Sequence, residues 1–216
     1  MNLALFKFTN LSDRATSPAG WGVNNGVSVD ALAGNDTITG DGGGIEILGT
    51  LNTGDGNDTI KASTTDYTGL DNYGKINTGA GNDTIIGIGF CRDGDCGAGI
   101  DNRVMINTGA GDDTITGSSM ANSGKMNTGT GNDVVDFLKG GFRGPGDADF
   151  DGPIGKTFLG DGQDILKGFG SGAFYGGIGK DKILFGKGVY VFSNSTIVSG
   201  GVTMKVNDFE QIGGTK

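Results

Sequence analysis

Residues 76–85 read INTGAGNDTI, and close copies of this stretch recur along the chain. LNTGDGNDTI occupies residues 51–60, INTGAGDDTI occupies residues 106–115, and MNTGTGNDVV occupies residues 126–135. Degenerate copies open the array at residues 32–38 and close it at residues 160–165 and 176–183. Self-similarity of this kind is typical of repeat architectures. In these folds each unit buries its apolar face only by stacking on its neighbours.

The spacing between equivalent aspartates measures each unit. The steps from Asp36 through Asp181 are 22, 25, 30, 20, 31 and 17 residues, and the steps of 17 to 25 residues suit one solenoid coil. The two longest steps contain insertions. One is the loop between Cys91 and Cys96, and the other is the Gly-rich segment 139–156, which also contains two prolines.

Each copy predicts short strands on both sides of a glycine turn. Ile76 and Ile85 would point into a core, whereas Thr84 would face outward, because side chains alternate along a strand. Gly79 and Gly81 would allow a tight turn with positive φ. The repeats therefore predict an all-β fold, a right-handed parallel β-solenoid.

Stacked coils would place equivalent residues in columns. We expect strands such as Lys75–Asn77 and Thr84–Ile86, and a hydrogen-bonded ladder of asparagines that has a structural role. The members of that ladder would be Asn52, Asn77, Asn107 and Asn127.

Four regions follow from this pattern. Residues 1–27, including Trp21, would form an N-terminal cap, because an open solenoid end exposes core and sheet edge. Residues 28–138 would form the main solenoid, residues 139–156 the insertion, and residues 157–216 the last coils with a closing segment.

Composition excludes several function classes. The formal net charge is −9 and there is no His. Nucleic-acid binding is therefore not expected, because phosphate contacts need clustered Lys and Arg. Zinc-protease motifs and His-dependent triads are excluded as well. The N-terminal residues have no basic and apolar regions of the signal-peptide type, and no stretch is long and apolar enough to span a bilayer.

The turns resemble the RTX (repeat-in-toxin) nonapeptide, G-G-x-G-x-D-x-apolar-x. Residues 176–184 match it completely, the internal copies have Thr for the first Gly, and the copy at Asp36 lacks the second Gly as well. The segment 204–214 also resembles the closing segment of secreted cyanobacterial and proteobacterial members. The resemblance implies Ca²⁺ as cofactor, bound by the motif aspartates and by turn carbonyls.

Carried onto this chain, the implied calcium ligands are the seven motif aspartates and the turn glycines. They are Asp36, Gly54, Gly56, Asp58, Gly79, Gly81, Asp83, Gly109, Gly111, Asp113, Gly129, Gly131, Asp133, Gly160, Gly162, Asp164, Gly177, Gly179 and Asp181.

The array departs from the family in its period. Family β-rolls have calcium turns on both sides of an 18-residue coil, whereas the longer coils between Leu51 and Val135 have room for one. We therefore expect a single calcium row there, with the shorter final coils as candidates for the family pattern.

A second candidate calcium site lies in the insertion. Asp147, Asp149 and Asp151 match the first half of an EF-hand loop, but position twelve would be Phe158 instead of Glu. A complete site would need another carboxylate, such as Asp161. A solvated acidic loop is the alternative.

The redox state of the two cysteines stays open. Cys91 and Cys96 form either a local disulfide or two free thiols, depending on the compartment.

The family resemblance implies export by type I secretion and folding in extracellular calcium. This would make the chain a non-enzymatic, calcium-stabilised secreted or cell-surface protein. Its partner beyond calcium would be a cell-surface glycan or another protein.

Two alternative functions remain. An ice-binding or adhesin solenoid would use outward Thr columns, but the residues beside Thr37, Thr59, Thr84 and Thr114 are mixed. A polysaccharide-active β-helix enzyme would need clustered carboxylates. Asp93, Asp95 and Asp101 are the acids available for it, and nothing in the sequence distinguishes them from solvated loop acids.

Overall fold

The computed structural model describes residues 1–92, 95–144 and 153–214. After a short 3-10 helix (Leu3–Leu5), the chain winds through successive coils, and each of the first six contributes three strands to long sheets. The strands of the first three coils are β1 (Arg14–Ser17), β2 (Trp21–Val23), β3 (Ser28–Asp30), β4 (Thr37–Gly40), β5 (Ile45–Ile47), β6 (Thr50–Asp55), β7 (Thr59–Ser63), β8 (Leu70–Asn72) and β9 (Lys75–Ala80).

The fourth to sixth coils follow the same path, with an extra strand pair in the fourth. Their strands are β10 (Thr84–Ile88), β11 (Cys91–Arg92), β12 (Asp95–Cys96), β13 (Ile100–Asn102), β14 (Met105–Ala110), β15 (Thr114–Gly117), β16 (Met120–Asn122), β17 (Lys125–Thr130), β18 (Val134–Asp136), β19 (Phe142–Arg143) and β20 (Lys156–Gly162).

The last part of the chain, from Ile165 to Gly214, contributes no strand to the sheet of short strands between the two longer sheets. Its strands are β21 (Ile165–Lys167), β22 (Gly172–Gly179), β23 (Lys182–Phe185), β24 (Val191–Ser193), β25 (Thr196–Ser199), β26 (Val202–Asn207) and β27 (Gln211–Gly214).

Three sheets run along the solenoid. Sheet 1 contains the strands that leave the aspartate turn, in the order β1-β4-β7-β10-β15-β18-β21-β23-β27. Sheet 2 has the order β19-β16-β13-β8-β5-β2, and sheet 3 has the order β24-β25-β26-β22-β20-β17-β14-β9-β6-β3. Pairing between consecutive coils is parallel and in register, so that Ile85 aligns with Ile60 and Ile115. The predicted all-β parallel solenoid is confirmed.

The core consists of columns of inward side chains. In sheet 1 the column of Ile38, Ile60, Ile85, Ile115, Val135, Leu166 and Ile183 is fully buried. Sheet 3 contributes the facing column, which includes Leu51, Ile76, Ile106 and Met126. A single coil has no core of its own, so the apolar contacts that stabilise it come from its neighbours.

The third side of the coil was not predicted. The sequence suggests one strand on each side of the turn. The structure adds a short third strand to the coil, and these third strands form sheet 2. The added strand explains why coils of 20 to 25 residues are longer than the 18-residue coil of the family. Sheet 2 also buries polar residues. Asn72 donates to Asn102 Oδ1 at 2.8 Å, and Asn102 donates to Asn122 Oδ1 at 2.9 Å, so a ladder of amides lines this corner.

The first coil starts inside the segment predicted as a cap. Strands β1 and β2 pair in parallel with β4 and β5, so residues 14–27 belong to the solenoid. Residues before them lie over its open end, where Leu3 is fully buried and Phe6 and Phe8 pack against the core. The Trp21 indole donates to the Thr39 carbonyl at 3.1 Å.

The insertion of the fourth coil is closed by a disulfide between Cys91 and Cys96, whose Cα atoms are 3.9 Å apart. Arg143 donates to the Cys96 carbonyl oxygen and so ties this loop to the sixth coil. The loop lies between sheets 1 and 2, away from the aspartate turns between sheets 3 and 1. Within the described ranges, no helix has the length and apolar character needed to cross a membrane.

Candidate metal centre

The motif aspartates form one continuous row along the corner between sheets 3 and 1. The backbone N–H of Asp58 donates to Asp83 Oδ1 at 2.8 Å, and that of Asp83 donates to Asp113 Oδ1 at 2.7 Å. The same bond links every neighbouring pair from Asp36 to Asp181. The sequence predicted these seven residues as equivalent, and the structure brings all seven together.

The second carboxylate oxygen of each aspartate has no hydrogen-bond partner. The seven side chains are at most 1% exposed, and Oδ2 of each one is buried and unpaired. A buried acceptor without a donor is costly, and a buried charge more so. Seven equivalent orphan oxygens in one row indicate that a positively charged group belongs there.

The turn glycines bring backbone carbonyl groups close to the next coil. Gly79 has a φ of +106° and Gly81 has a φ of +129°, values that side-chain-bearing residues rarely adopt. A Cβ on Gly79 would lie 1.9 Å from the Gly54 carbonyl oxygen, and one on Gly81 would lie 2.1 Å from that of Gly56. The glycines are therefore needed for both the turn and the close stacking of these oxygens.

The remaining predicted glycines repeat this arrangement with one exception. Gly109, Gly111, Gly129, Gly131, Gly160, Gly177 and Gly179 all have positive φ. Gly162 has no positive φ, but a Cβ there would lie 1.7 Å from the Gly131 carbonyl oxygen. Glycine is therefore required at this position only because the next coil is so close. The copy at Asp36 has Leu32 at the place of the first turn glycine, with a φ of +78°.

A threonine hydroxyl stands beside four of the aspartates, Asp58, Asp83, Asp113 and Asp133. Thr78 Oγ1 donates to the Thr108 carbonyl at 3.0 Å, and Thr108 Oγ1 donates to the Thr128 carbonyl at 3.0 Å. The family has Gly at this place. Here the hydroxyl bonds the coils to each other, which explains how Thr is accommodated in a buried position.

Burial raises the pKa of every aspartate in the row. It raises the pKa of Asp83 to about 6, and those of Asp113 and Asp164 to about 7. Neighbouring carboxylates add to the rise, while backbone N–H donors and, at Asp83 and Asp113, the side chains of Thr78 and Thr108 oppose it. In the absence of a cation the row therefore resists full ionisation near neutral pH.

This donor set fits calcium. Ca²⁺ prefers six to eight oxygen ligands and takes carboxylates and backbone carbonyls together. In the part of the chain that the structure describes, no three carboxylates or other metal-binding side chains converge on one point. Each ion would therefore draw Oδ2 from the row and most of its other ligands from turn carbonyls. Calcium would supply the positive charge that the buried carboxylates lack.

The row remains single throughout the described coils. The seventh coil has no strand in sheet 2, and its second bend, residues 167–172, contains no acidic residue. The family's second calcium turn is therefore absent from this coil. The predicted EF-hand-like site of Asp147, Asp149 and Asp151 lies outside the described residues.

A second row of side chains, next to the first, was missed. Asn82 N–H donates to Asn57 Oδ1 at 2.7 Å, and Asp112 N–H donates to Asn82 Oδ1 at 2.9 Å. These bonds run in the opposite direction to those of the aspartate row, so the coils from Asn35 to Gln163 are linked both ways. The signal was the Asn-Asp or Asp-Asp dipeptide that ends each internal turn.

The predicted asparagine ladder on sheet 3 is present at two steps. Asn77 donates to Asn52 Oδ1 and Asn127 donates to Asn107 Oδ1, both at 2.8 Å. These two bonds do not involve the aspartate row. The ladder links adjacent strands of sheet 3.

Comparison with known families agrees with this geometry. The RTX calcium-binding nonapeptide repeat matches four copies, at residues 28–44, 50–64, 75–87 and 105–119. No curated protein and no solved structure matches the chain. The four matched copies contain Asp36, Asp58, Asp83 and Asp113, and the structure continues the same row through the three later aspartates. The chain thus contains RTX-type calcium-binding nonapeptide repeats.

Proposed function

We propose that the chain is a calcium-stabilised structural or interaction protein of the cell surface or the extracellular medium, and that it is not an enzyme. The observation that carries this proposal is the row of seven buried carboxylates, each with an unpaired oxygen. Because the row passes through nearly every coil, the ion would be part of the fold instead of a local catalytic centre.

The disulfide supports an extracellular location. Disulfides persist in oxidising compartments and are rare in the cytosol. Extracellular calcium is also the pool that weaker calcium modules use, with dissociation constants of roughly 10⁻⁴–10⁻³ M. Export unfolded through a type I exporter, followed by folding in calcium, is the route that the family resemblance suggests.

The acids considered for catalysis give no support to an enzyme. Asp101 is mostly buried and pairs with Arg103, with 2.9 Å between Oδ2 and Nε. Asp93 and the Asp95 side chain lie outside what the structure describes. The chain also has no His to act as a general base.

The outward face of sheet 1 does not favour ice binding. Thr59, Thr84 and Thr114 align in register, but the column continues with Val134 and Ile165. The parallel column contains Lys61, Ile86 and Asp136. A flat, uniform threonine surface is therefore not formed.

Calcium-dependent folding tests the proposal. We expect the chelated protein to be largely disordered or markedly less stable, and millimolar Ca²⁺ to restore β circular dichroism cooperatively. Mg²⁺ should substitute poorly because it demands compact octahedral geometry. Equal β signal and equal thermal stability with chelator and with Ca²⁺ would contradict the calcium role.

A further inference from the structure

The corner between sheets 2 and 3, here called the lysine corner, is basic. In the parallel register of sheet 3, Lys75, Lys125 and Lys156 occupy one column, with Met105 between the first two. Each coil contributes one three-residue segment to this corner, and these segments are 48–50, 73–75, 103–105, 123–125 and 154–156. None of them contains Asp or Glu, although the chain has 25 acidic residues and a net charge of −9.

Two hollows in the surface follow the lysine corner. One has a volume of about 290 Å³, and Leu48, Lys75 and Val104 contribute to its lining. The other has a volume of about 380 Å³, and its lining includes Lys125 and Lys156. The lysines of the column therefore border concave surface in which a ligand can lie.

Glycines line the floor of this corner. Lys75 N–H donates to the Gly49 carbonyl at 2.9 Å, so the coils stack directly at this place. A Cβ on Gly74 would lie 2.0 Å from the Gly49 carbonyl oxygen, and one on Gly155 would lie 2.6 Å from that of Gly124. Only glycine fits there, and the floor has no side chains at these positions.

Aromatic rings hold two cations of the corner in place. Lys125 Nζ lies 5.1 Å from the centre of the Phe158 ring, and that ring stacks on Tyr175 at 4.8 Å. The Arg103 guanidinium lies 4.8 Å from the centre of the Tyr73 ring and already has a carboxylate partner. Within the described ranges, the three lysines form no ion pair with a carboxylate. An ammonium group that is held by a ring and lacks a counter-ion loses little freedom when it binds an anion.

Exposed apolar side chains lie among the lysines. Leu48 is 37% exposed, Val104 is 43% exposed and Ile154 is 49% exposed, and all three line the hollows. Pyranose rings have apolar C–H faces and polar edges, so a surface that combines apolar and charged side chains suits them. A small inorganic anion would make no use of the apolar part.

The spacing of the lysines suits a linear chain of sugars. Neighbouring strands of a sheet are about 4.8 Å apart, so Lys125 and Lys156 follow each other at about that distance, and Lys75 lies two coils before Lys125. Successive rings of a linear polysaccharide advance by a similar distance. In duplex DNA the charges of one strand follow each other at about 3.4 Å along the axis, which does not match the coils.

We propose that the lysine corner binds a linear acidic polysaccharide. Its carboxylate or sulfate groups would meet Lys75, Lys125 and Lys156, and its rings would lie against the apolar side chains of the hollows. This proposal rests on the interaction role proposed above and names the class of partner.

The polysaccharide would cross the coils at a different corner from the aspartate row, which lies between sheets 3 and 1. Calcium would therefore keep the coils stacked and the lysines in register, without itself contacting the sugar chain. Glycan binding and calcium binding can be measured separately for this reason.

The double variant Lys125→Gln, Lys156→Gln tests the site, because both side chains are exposed and the change removes only their charge. Lys180→Gln, Lys187→Gln is the matched control, since it removes the same charge from two exposed lysines outside the corner. Lys125→Arg, Lys156→Arg keeps the charge at the site. The probe is a linear galacturonate octamer, and its methyl ester provides the same backbone without charge. Isothermal titration calorimetry on the full chain, at one fixed Ca²⁺ concentration, gives the dissociation constants.

We expect the wild type to bind the acidic octamer more weakly as salt rises, and to bind the ester about tenfold more weakly than the acid. The Gln variant should lose about tenfold in affinity for the acid, whereas the Arg variant and the control should keep the wild-type value. All four proteins should show the same β circular dichroism in Ca²⁺, so that a loss of binding is not a loss of fold.

Several results would overturn this inference. They are no binding of the acidic octamer by the folded wild type, equal binding of the acid and the ester, or equal affinity of the Gln variant and the control. Equally tight binding of single-stranded DNA of the same charge would overturn it as well, because the corner would then attract any polyanion. A wild-type protein whose folding does not respond to Ca²⁺ would instead overturn the proposed calcium role.

Discussion

The backbone N–H of Asp83 donates a 2.7 Å hydrogen bond to Oδ1 of Asp113 in the next coil, and the Oδ2 atoms of both residues have no partner. One oxygen of each carboxylate thus serves the fold, and the other is left for a cation. The two roles can be separated by mutation.

Asp113→Asn should change stability in opposite directions with and without calcium. The amide keeps the acceptor for Asp83 N–H but removes a buried charge, so the chelated protein should become more stable. In Ca²⁺ the variant should be less stable, because a ligand is lost. Thermal unfolding in chelator and in Ca²⁺ measures both effects. Asp55→Asn, which removes an exposed charge from a turn, should change neither; destabilisation of Asp113→Asn under both conditions would argue against separate roles.

Asp83→Ala should weaken folding more than Asp36→Ala. The first variant leaves the buried Asp58 N–H without its acceptor and interrupts the row in the middle, at a cost of about 1–3 kcal/mol for the unpaired group alone. The second affects Asp13 N–H at the degenerate first turn. Urea titration in Ca²⁺ gives the two free energies of unfolding. Equal losses would show that the position in the row is unimportant.

The stability of the metal-free protein should fall as pH rises. The folded-state pKa is about 6 for Asp83 and about 7 for Asp113 and Asp164, above the ordinary value of 3.8. The folded protein therefore holds more protons than the unfolded chain between about pH 4 and 7, and raising the pH through that range favours unfolding. In Ca²⁺ the trend should reverse, because protons compete with the ion. Melting temperatures at pH 5 and pH 8, with and without Ca²⁺, check the sign, and parallel trends would refute it.

Leu32→Gly should stabilise the protein by about 1 kcal/mol, because a left-handed conformation is strained for Leu and natural for Gly. Leu32 has a φ of +78° and is 48% exposed, so little apolar burial is lost. Leu48→Gly is the control: its side chain is 37% exposed and its φ is not positive, so it should lower stability. Chemical denaturation in Ca²⁺ compares them. A loss of stability in Leu32→Gly would show that no strain is relieved.

Reduction of the disulfide should lower stability without changing calcium stoichiometry. Closing so short a loop in the unfolded chain is worth about 2 kcal/mol. The double variant Cys91→Ser, Cys96→Ser should lose about that amount in urea, while native mass spectrometry finds the same number of ions, because the loop is at another corner from the aspartate row. Two free thiols in protein isolated from the medium, or a lost ion in the variant, would contradict this view.

The solenoid and the aspartate row could both be predicted from the sequence. Seven copies with an aspartate at one place require that residue to recur at one corner, and alternation around Ile76 and Ile85 fixes which side chains are buried. These are local and periodic properties, so they can be read without knowing how the coils pack.

Three features became visible only in the folded chain: the third sheet, the opposite directions of the two hydrogen-bond rows, and the bond from Asp181 N–H to Glu210 Oε2 at the end of the aspartate row. The short strands of sheet 2 have little pattern of their own and form because the neighbouring coils pair with them. Glu210 has no motif around it and is 29 residues from Asp181. It joins the row because the closing strands fold back onto the last coil, and that contact depends on the path of the chain in space.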